Sequence, residues 1–240
     1  MSNSARDRVI VALDVPTRKK ALDLIERLGD ESSFYKIGVQ LFSEAGPSFL
    51  DELERRQKRI FLDLKFHDIP NTVAGAVRAV TRRRIHMLTV HASGGLAMLE
   101  AARDAAGEEG PDIVAVTLLT SLATEDVEQV FGRSPVSIVD EVVRLAGLAK
   151  AAALAGVVAS PTEVKPIKRS HGDGLRVVTA GIRLAGDDPG DQNRYATPDA
   201  AARAGADFIV VGRSITAAKE PAAAFESVAD AFERAGKHTS

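Results

Sequence analysis

Ile60-Phe61-Leu62-Asp63-Leu64-Lys65-Phe66-His67-Asp68-Ile69-Pro70-Asn71-Thr72 reads as a strand, a loop and the start of a helix. The run 60–64 is apolar except at Asp63 and too short for a helix. Pro70 suits a first helical turn, and an amphipathic pattern continues over 72–80. The same unit recurs on both sides of this stretch. Apolar runs lie at 9–13, 34–39, 60–64, 87–90, 113–118, 156–159, 177–179 and 208–211. Helical patterns lie between them: 21–28 aligns Leu22, Ile25 and Leu28, and 47–56 aligns Phe49, Leu50 and Leu53. The longest gap holds two such patterns, 124–131 and 138–153. The strand runs are apolar on both faces, the mark of parallel strands covered by helices. Eight such β-α units in 240 residues predict a single (β/α)8 TIM barrel. It is expected to fill residues 1–240 as one domain with short polar tails. A doubly wound open sheet is the alternative fold.

Composition narrows the function. The formal net charge of -2 gives no basic surplus for nucleic acid. Arg82-Arg83-Arg84 is short and falls where a helix should end, where cations favour the helix dipole. There is no Cys, which excludes disulfides and thiolate metal sites and fits a reducing compartment. Residues 1–7 are polar, with no apolar core of a secretory signal, and no run of about 18 apolar residues predicts a membrane span. A cytoplasmic protein is expected.

In a TIM barrel chemistry gathers where strands end. Here those ends carry Asp14, Lys36, Asp63 and Lys65 followed by Asp68, then His91, Thr120-Ser121, Gly181-Ile182-Arg183 and Gly212-Arg213. Side chains two apart on a strand share a face, so Asp63 and Lys65 should point together, with Lys36 alongside. Asp68, in a loop, is free to approach from a distance or from another subunit. The expected array alternates Lys, Asp, Lys, Asp; a structural ion-pair lattice at the barrel mouth is the alternative reading. Gly212 and Arg213 suit phosphate: glycine admits close backbone approach and Arg offers a planar fork of donors. The polar loop 184–197 is long enough for a lid, or is an ordinary connection. The five histidines show no zinc spacing, His91 reads as a satisfied core residue, and no Gly-x-Gly-x-x-Gly or Gly-x-Ser-x-Gly motif is present.

Together these residues resemble the orotidine 5′-phosphate decarboxylase family along nearly the whole chain. The central segment, Phe61 through Thr72, matches that family's motif without a break. Val11-Ala12-Leu13-Asp14, Tyr35-Lys36-Ile37-Gly38, Val90-His91-Ala92-Ser93-Gly94-Gly95, Leu119-Thr120-Ser121, Gly190-Asp191-Gln192 and Val210-Val211-Gly212-Arg213-Ser214-Ile215 follow in order. The departures are Ser93 where Ala is frequent, Ala180 where Pro is common, and an atypical 82–86 segment on the face away from the site. The resemblance implies a cofactor-free carboxy-lyase without a metal. In it Asp14 and Lys36 hold ribose hydroxyls, Asp63 faces the substrate carboxylate and Lys65 donates the proton. Asp68 and Thr72 reach into a partner's site across a homodimer. Thr120 binds the pyrimidine edge, and Arg183, Gln192, Gly212 and Arg213 hold the phosphate, Gln192 from the lid.

Decarboxylation at C6 of orotate leaves a carbanion with no π-system to spread it, so the barrier must fall by electrostatics and positioning. A Lys65 ammonium beside C6 supplies both positive charge and a proton, and Asp63 and Asp68 help keep it charged. Two other readings stand beside this one. A magnesium-dependent sugar-phosphate decarboxylase or aldolase would share Asp63, Lys65, Asp68 and the phosphate end. A non-catalytic phosphate-binding barrel would need one of the charged quartet missing.

Overall fold

The computed structural model describes residues 4–132, 137–184 and 194–236. Eight parallel strands close into a barrel in chain order: β1 Val9–Ala12, β2 Phe34–Gly38, β3 Arg59–Phe66, β4 Met87–His91, β5 Asp112–Val116, β6 Gly156–Ala159, β7 Arg176–Ile182 and β8 Phe208–Val211. β8 pairs with β1 through Val9↔Ile209, Ile10↔Val210 and Val11↔Val211, which completes the cylinder. The helices are α1 Ala5–Arg8, α2 Arg18–Leu28, α3 Val39–Ala45, α4 Ser48–Arg55, α5 Pro70–Val80, α6 Leu96–Ala106, α7 Thr124–Phe131, α8 Ile138–Ala151, α9 Val164–His171, α10 Pro198–Ala204, α11 Arg213–Thr216 and α12 Pro221–Gly236. The closed sheet excludes the doubly wound alternative.

Two apolar layers explain why the strands are apolar on both faces. Residues such as Val9, Val11, Tyr35, Ile37, Ile60 and Leu62 point outward and pack on the helices. Ile10, Ala12, Phe34, Phe61, Met87, Val114, Val178, Phe208 and Val210 point inward and fill the barrel's lower half. Phe34 and Phe208 meet edge to face at 6.3 Å in that plug. Beneath it the Arg59 guanidinium lies 4.1 Å over the Phe34 ring and donates to the Asp7 carbonyl. Each large side chain buried here contributes roughly 1.5–3 kcal/mol.

Local chemistry sets the helix bounds. Thr17 caps α2, Ser137 caps α8 and Thr197 caps α10, each accepting from a first-turn N–H. Pro70 opens α5 as its first residue. On α2 the buried set is Ala21, Leu24, Ile25 and Leu28; Leu22 is only half-buried. One expectation at the barrel's lower end changes. The segment before β1 is no tail from Ser4 on, because Ser4 and Asp7 form a capping box around α1 and Ala5 is buried. The arginine run falls at the end of α5 as expected, with Arg82 and Arg84 exposed and Arg83 also paired to Asp51 at 2.6 Å.

Both register shifts in the barrel fall near the upper strand ends. β3 slips against β4 between Leu62 and Phe66, and β7 against β8 between Thr179 and Ile182. Gly181 takes φ +81° at the second shift, a conformation glycine adopts without strain. The first shift holds Lys65 at φ +51°, where a side chain is strained.

Candidate active site

A cavity of about 600 Å³ opens at the strands' C-terminal ends, above the apolar plug. Ala12, Val116, Leu118, Val158, Ala180 and Val210 make an apolar wall, and Asp14, Lys36, Asp63, Lys65, Thr120, Arg183 and Arg213 bring polar groups to it. The inward alternation that buries Phe34 and Phe61 places Lys36 and Asp63 one step higher on the same faces. Register seats Gly38 opposite Asp63. A Cβ at Gly38 would stand 3.3 Å from Lys36 Nζ and 3.4 Å from Asp14 Oδ1, so glycine leaves room for that ion pair.

The charged groups form a chain. Lys36 Nζ donates to Asp14 Oδ1 at 2.9 Å and lies 3.6 Å from Asp63 Oδ2. Lys65 Nζ donates to Asp63 Oδ1 at 2.8 Å. Lys36 and Asp63 are each only 9% exposed, so the pair is held by mutual compensation rather than by water. Burial alone would lower the Lys36 pKa, but the Asp14 and Asp63 carboxylates outweigh it and hold it above the ordinary lysine value. Burial would likewise raise Asp63; Lys36, Lys65 and Thr89 overcome that and hold its carboxyl below the usual carboxylate range.

The predicted residues do not all converge. Asp14, Lys36, Asp63, Lys65, Thr120, Arg183, Gly212 and Arg213 all line the one cavity. Asp68 and Thr72 do not: both are exposed, and Asp68 Oδ1 accepts from the Ile69 N–H at 2.6 Å. Thr120 sits in the loop past β5, which ends at Val116. Arg183 is 7% exposed; its Nη1 donates to the Ile182 carbonyl, and its buried Nε has no partner among the described residues. Gln192 and most of the expected lid lie outside the described residues. The loop's returning end does pair with β7, through Arg183 N–H to the Ala196 carbonyl and Ala196 N–H to the Gly181 carbonyl. His91 is half-buried, its ring stacked on His67 at 5.3 Å with Nδ1 beside Ser93 Oγ at 3.1 Å, as a satisfied structural histidine would be.

Two features were not read from the sequence. Thr89 is fully buried, and its hydroxyl bonds both Asp63 and the Lys65 backbone. Its signal was a lone hydroxyl inside the apolar run 87–90. Arg194 is ion-paired to the buried Glu163 and donates to the Leu119 carbonyl at 3.0 Å, beside Thr120. No local pattern announces a pair so far apart in sequence.

A profile of the orotidine 5′-phosphate decarboxylase / HUMPS family matches residues 7–228. The chain belongs to this family. Among relatives, the orotidine 5′-phosphate decarboxylase of Moorella thermoacetica is 46% identical over 236 residues, covering 95% of this chain and 93% of its own. That of Halorhodospira halophila is 47% identical over 238 residues, covering 98% and 100%. The crystal structure of orotidine 5′-phosphate decarboxylase from Lactobacillus acidophilus superposes with a TM-score of 0.82 at 38% identity, covering 93% of this chain and 98% of that one. No helix among the described residues is long and apolar enough to cross a membrane.

Proposed function

We propose that this chain decarboxylates orotidine 5′-phosphate to uridine 5′-phosphate without a cofactor, and that Lys65 supplies the proton. One observation carries the reading: the Lys65 ammonium stands on the cavity wall, 2.8 Å from a buried carboxylate that a second lysine also faces. The C6–carboxylate bond breaks, carbon dioxide leaves, and the electron pair remains on C6 beside that ammonium. Positive charge fixed where negative charge develops lowers the barrier at no cost in reorganisation. Lys65 then gives its proton to C6, and the neutral amine is reprotonated from solvent. Asp63 and Lys36 hold Lys65 in place; Asp14 and Lys36 are suited to ribose hydroxyls, and Thr120 to the pyrimidine edge. Arg183, whose buried Nε has no partner among the described residues, and Arg213 after Gly212 are suited to the phosphate, and the family resemblance adds Gln192.

The family name joins the decarboxylase with a second group, HUMPS, so membership alone does not choose between them. The decarboxylase name of relatives aligned over nearly their whole length supports the first. The exposed Asp68 and Thr72, beside Ile69 at 67% exposure, suit a homodimer in which each subunit completes the other's site. A cytoplasmic location fits a small-nucleotide enzyme with no cysteine.

The test follows the loss of orotidine 5′-phosphate spectrophotometrically. Turnover is expected to survive EDTA, which a magnesium-dependent sugar-phosphate enzyme would not allow. Lys65→Ala is expected to lose more than about 10⁴-fold in kcat while still binding uridine 5′-phosphate. Near-normal turnover in that variant removes Lys65 from the mechanism.

A further inference from the structure

Lys65 is an odd place for a precisely aimed ammonium. Its backbone sits at φ +51°, and there β3 has slipped out of register with β4. A left-handed residue other than glycine is strained, and the Lys65 side-chain bond to Asp63 does not reach the backbone that bears the strain. What lies opposite is Thr89, at the middle of β4 and wholly buried. The Lys65 N–H donates to Thr89 Oγ1 at 2.8 Å. The same oxygen lies 3.0 Å from Asp63 Oδ1.

The proton assignment is forced. A backbone N–H can only donate and a carboxylate can only accept, so the single Thr89 proton goes to Asp63 and a lone pair takes the Lys65 N–H. One hydroxyl therefore takes the place of a ladder bond in the bulge and fixes the carboxylate that the Lys65 ammonium grips. Thr89 is not among the residues that line the cavity.

We propose that Thr89 is the positioning residue for the proton donor: its hydroxyl holds the Lys65 backbone and the Asp63 carboxylate in one geometry. This rests on the reading of Lys65 above, since it gives a strained lysine its aim. Valine has the shape of threonine without the hydroxyl, so Thr89→Val leaves the Lys65 N–H buried without its partner and takes one donor from Asp63. Serine keeps both hydrogen bonds.

The experiment compares wild type, Thr89→Val, Thr89→Ser and Lys65→Ala in turnover of orotidine 5′-phosphate across pH and in binding of uridine 5′-phosphate. For Thr89→Val we expect kcat to fall about 10- to 100-fold, as misplacement of a reacting group does, with KM and product affinity changed less than about threefold. The acid limb of its kcat profile moves to higher pH, because a carboxylate that loses a donor holds its proton more tightly. Thr89→Ser restores kcat to within about threefold of wild type. A merely structural threonine would lower thermal stability without moving that limb. Thr89→Val turning over like wild type, a stationary acid limb, or Thr89→Ser as slow as Thr89→Val each overturns the role. Should Thr89→Val not fold, Thr89→Ala against Thr89→Ser carries the same comparison. A wild-type chain that leaves orotidine 5′-phosphate untouched, or an active Lys65→Ala, overturns the proposed function and this role with it. A fast Thr89→Val beside a dead Lys65→Ala overturns this role alone.

Discussion

Replacing Asp63 by Asn keeps the side chain's shape and one acceptor oxygen but removes the charge at the centre of the array. Lys36, 9% exposed, would then share only Asp14, whose side chain is 61% exposed. At the observed 3.6 Å and an effective dielectric constant of about 20, the lost Lys36–Asp63 attraction is about 5 kcal/mol. The Lys65 contact adds less, because that side chain is 33% exposed and water screens it. Relief of the buried carboxylate's desolvation offsets part of the total, leaving a net destabilisation of roughly 3–5 kcal/mol. For a chain of this length that lowers Tm by about 6–20 °C. The sign with pH is also set. Asp63 titrates below its ordinary 3.8 in the folded chain, so its contribution is present above that pH and fades as pH falls through the folded value. Scanning calorimetry of both chains from neutral to acidic pH is expected to show a wide gap at pH 7 that narrows on acidification below about pH 4. A gap under about 1 kcal/mol at neutral pH, or one that stays constant into acid, would refute the compensation argument.

Two further outcomes are expected. Burial first, then Arg59 and Arg84, holds the His86 pKa below the ordinary 6.5, and its Nδ1 must stay unprotonated to accept from the Ile60 N–H at 3.2 Å. The unfolded chain therefore takes up the proton first, so stability falls as pH drops below 6.5; His86→Gln should flatten that slope in melts between neutral pH and pH 5.5, and an unchanged slope would assign it elsewhere. If Asp68 serves a partner's site, Lys65→Ala and Asp68→Ala chains, each inactive alone, should regain about a quarter of wild-type turnover when refolded together in equal amounts, and no recovery would count against shared sites.

The barrel was legible because its signal is local. Apolar runs of strand length, alternating with amphipathic helices, state the parallel β-α unit wherever they occur, and closure follows from their number. Bounds moved where a neighbour decides them: the run 60–64 extends to Arg59–Phe66, and 113–118 shrinks to Asp112–Val116. Asp63, Lys65 and Lys36 were readable as one cluster because charge on a barrel strand is costly without a partner or a task. The alternation used to bring Asp63 and Lys65 together reached the right neighbours by an incomplete route, since a bulge, and not a regular pleat, turns Lys65 at that point.

By itself, then, the sequence determined the eight units, strands apolar on both faces and the residue types at the cavity rim, all of which depend on short-range periodicity and on where charge can be buried. Tertiary structure alone decided the left-handed turn at Lys65, the Thr89 hydroxyl beneath it, the Asp14–Lys36 pair that Gly38 makes room for, and the Arg194–Glu163 tie. Each of these joins groups on different strands or loops. A bulge persists only if the neighbouring strand offers a group to take the orphaned N–H, and no pattern within one strand says whether its neighbour will.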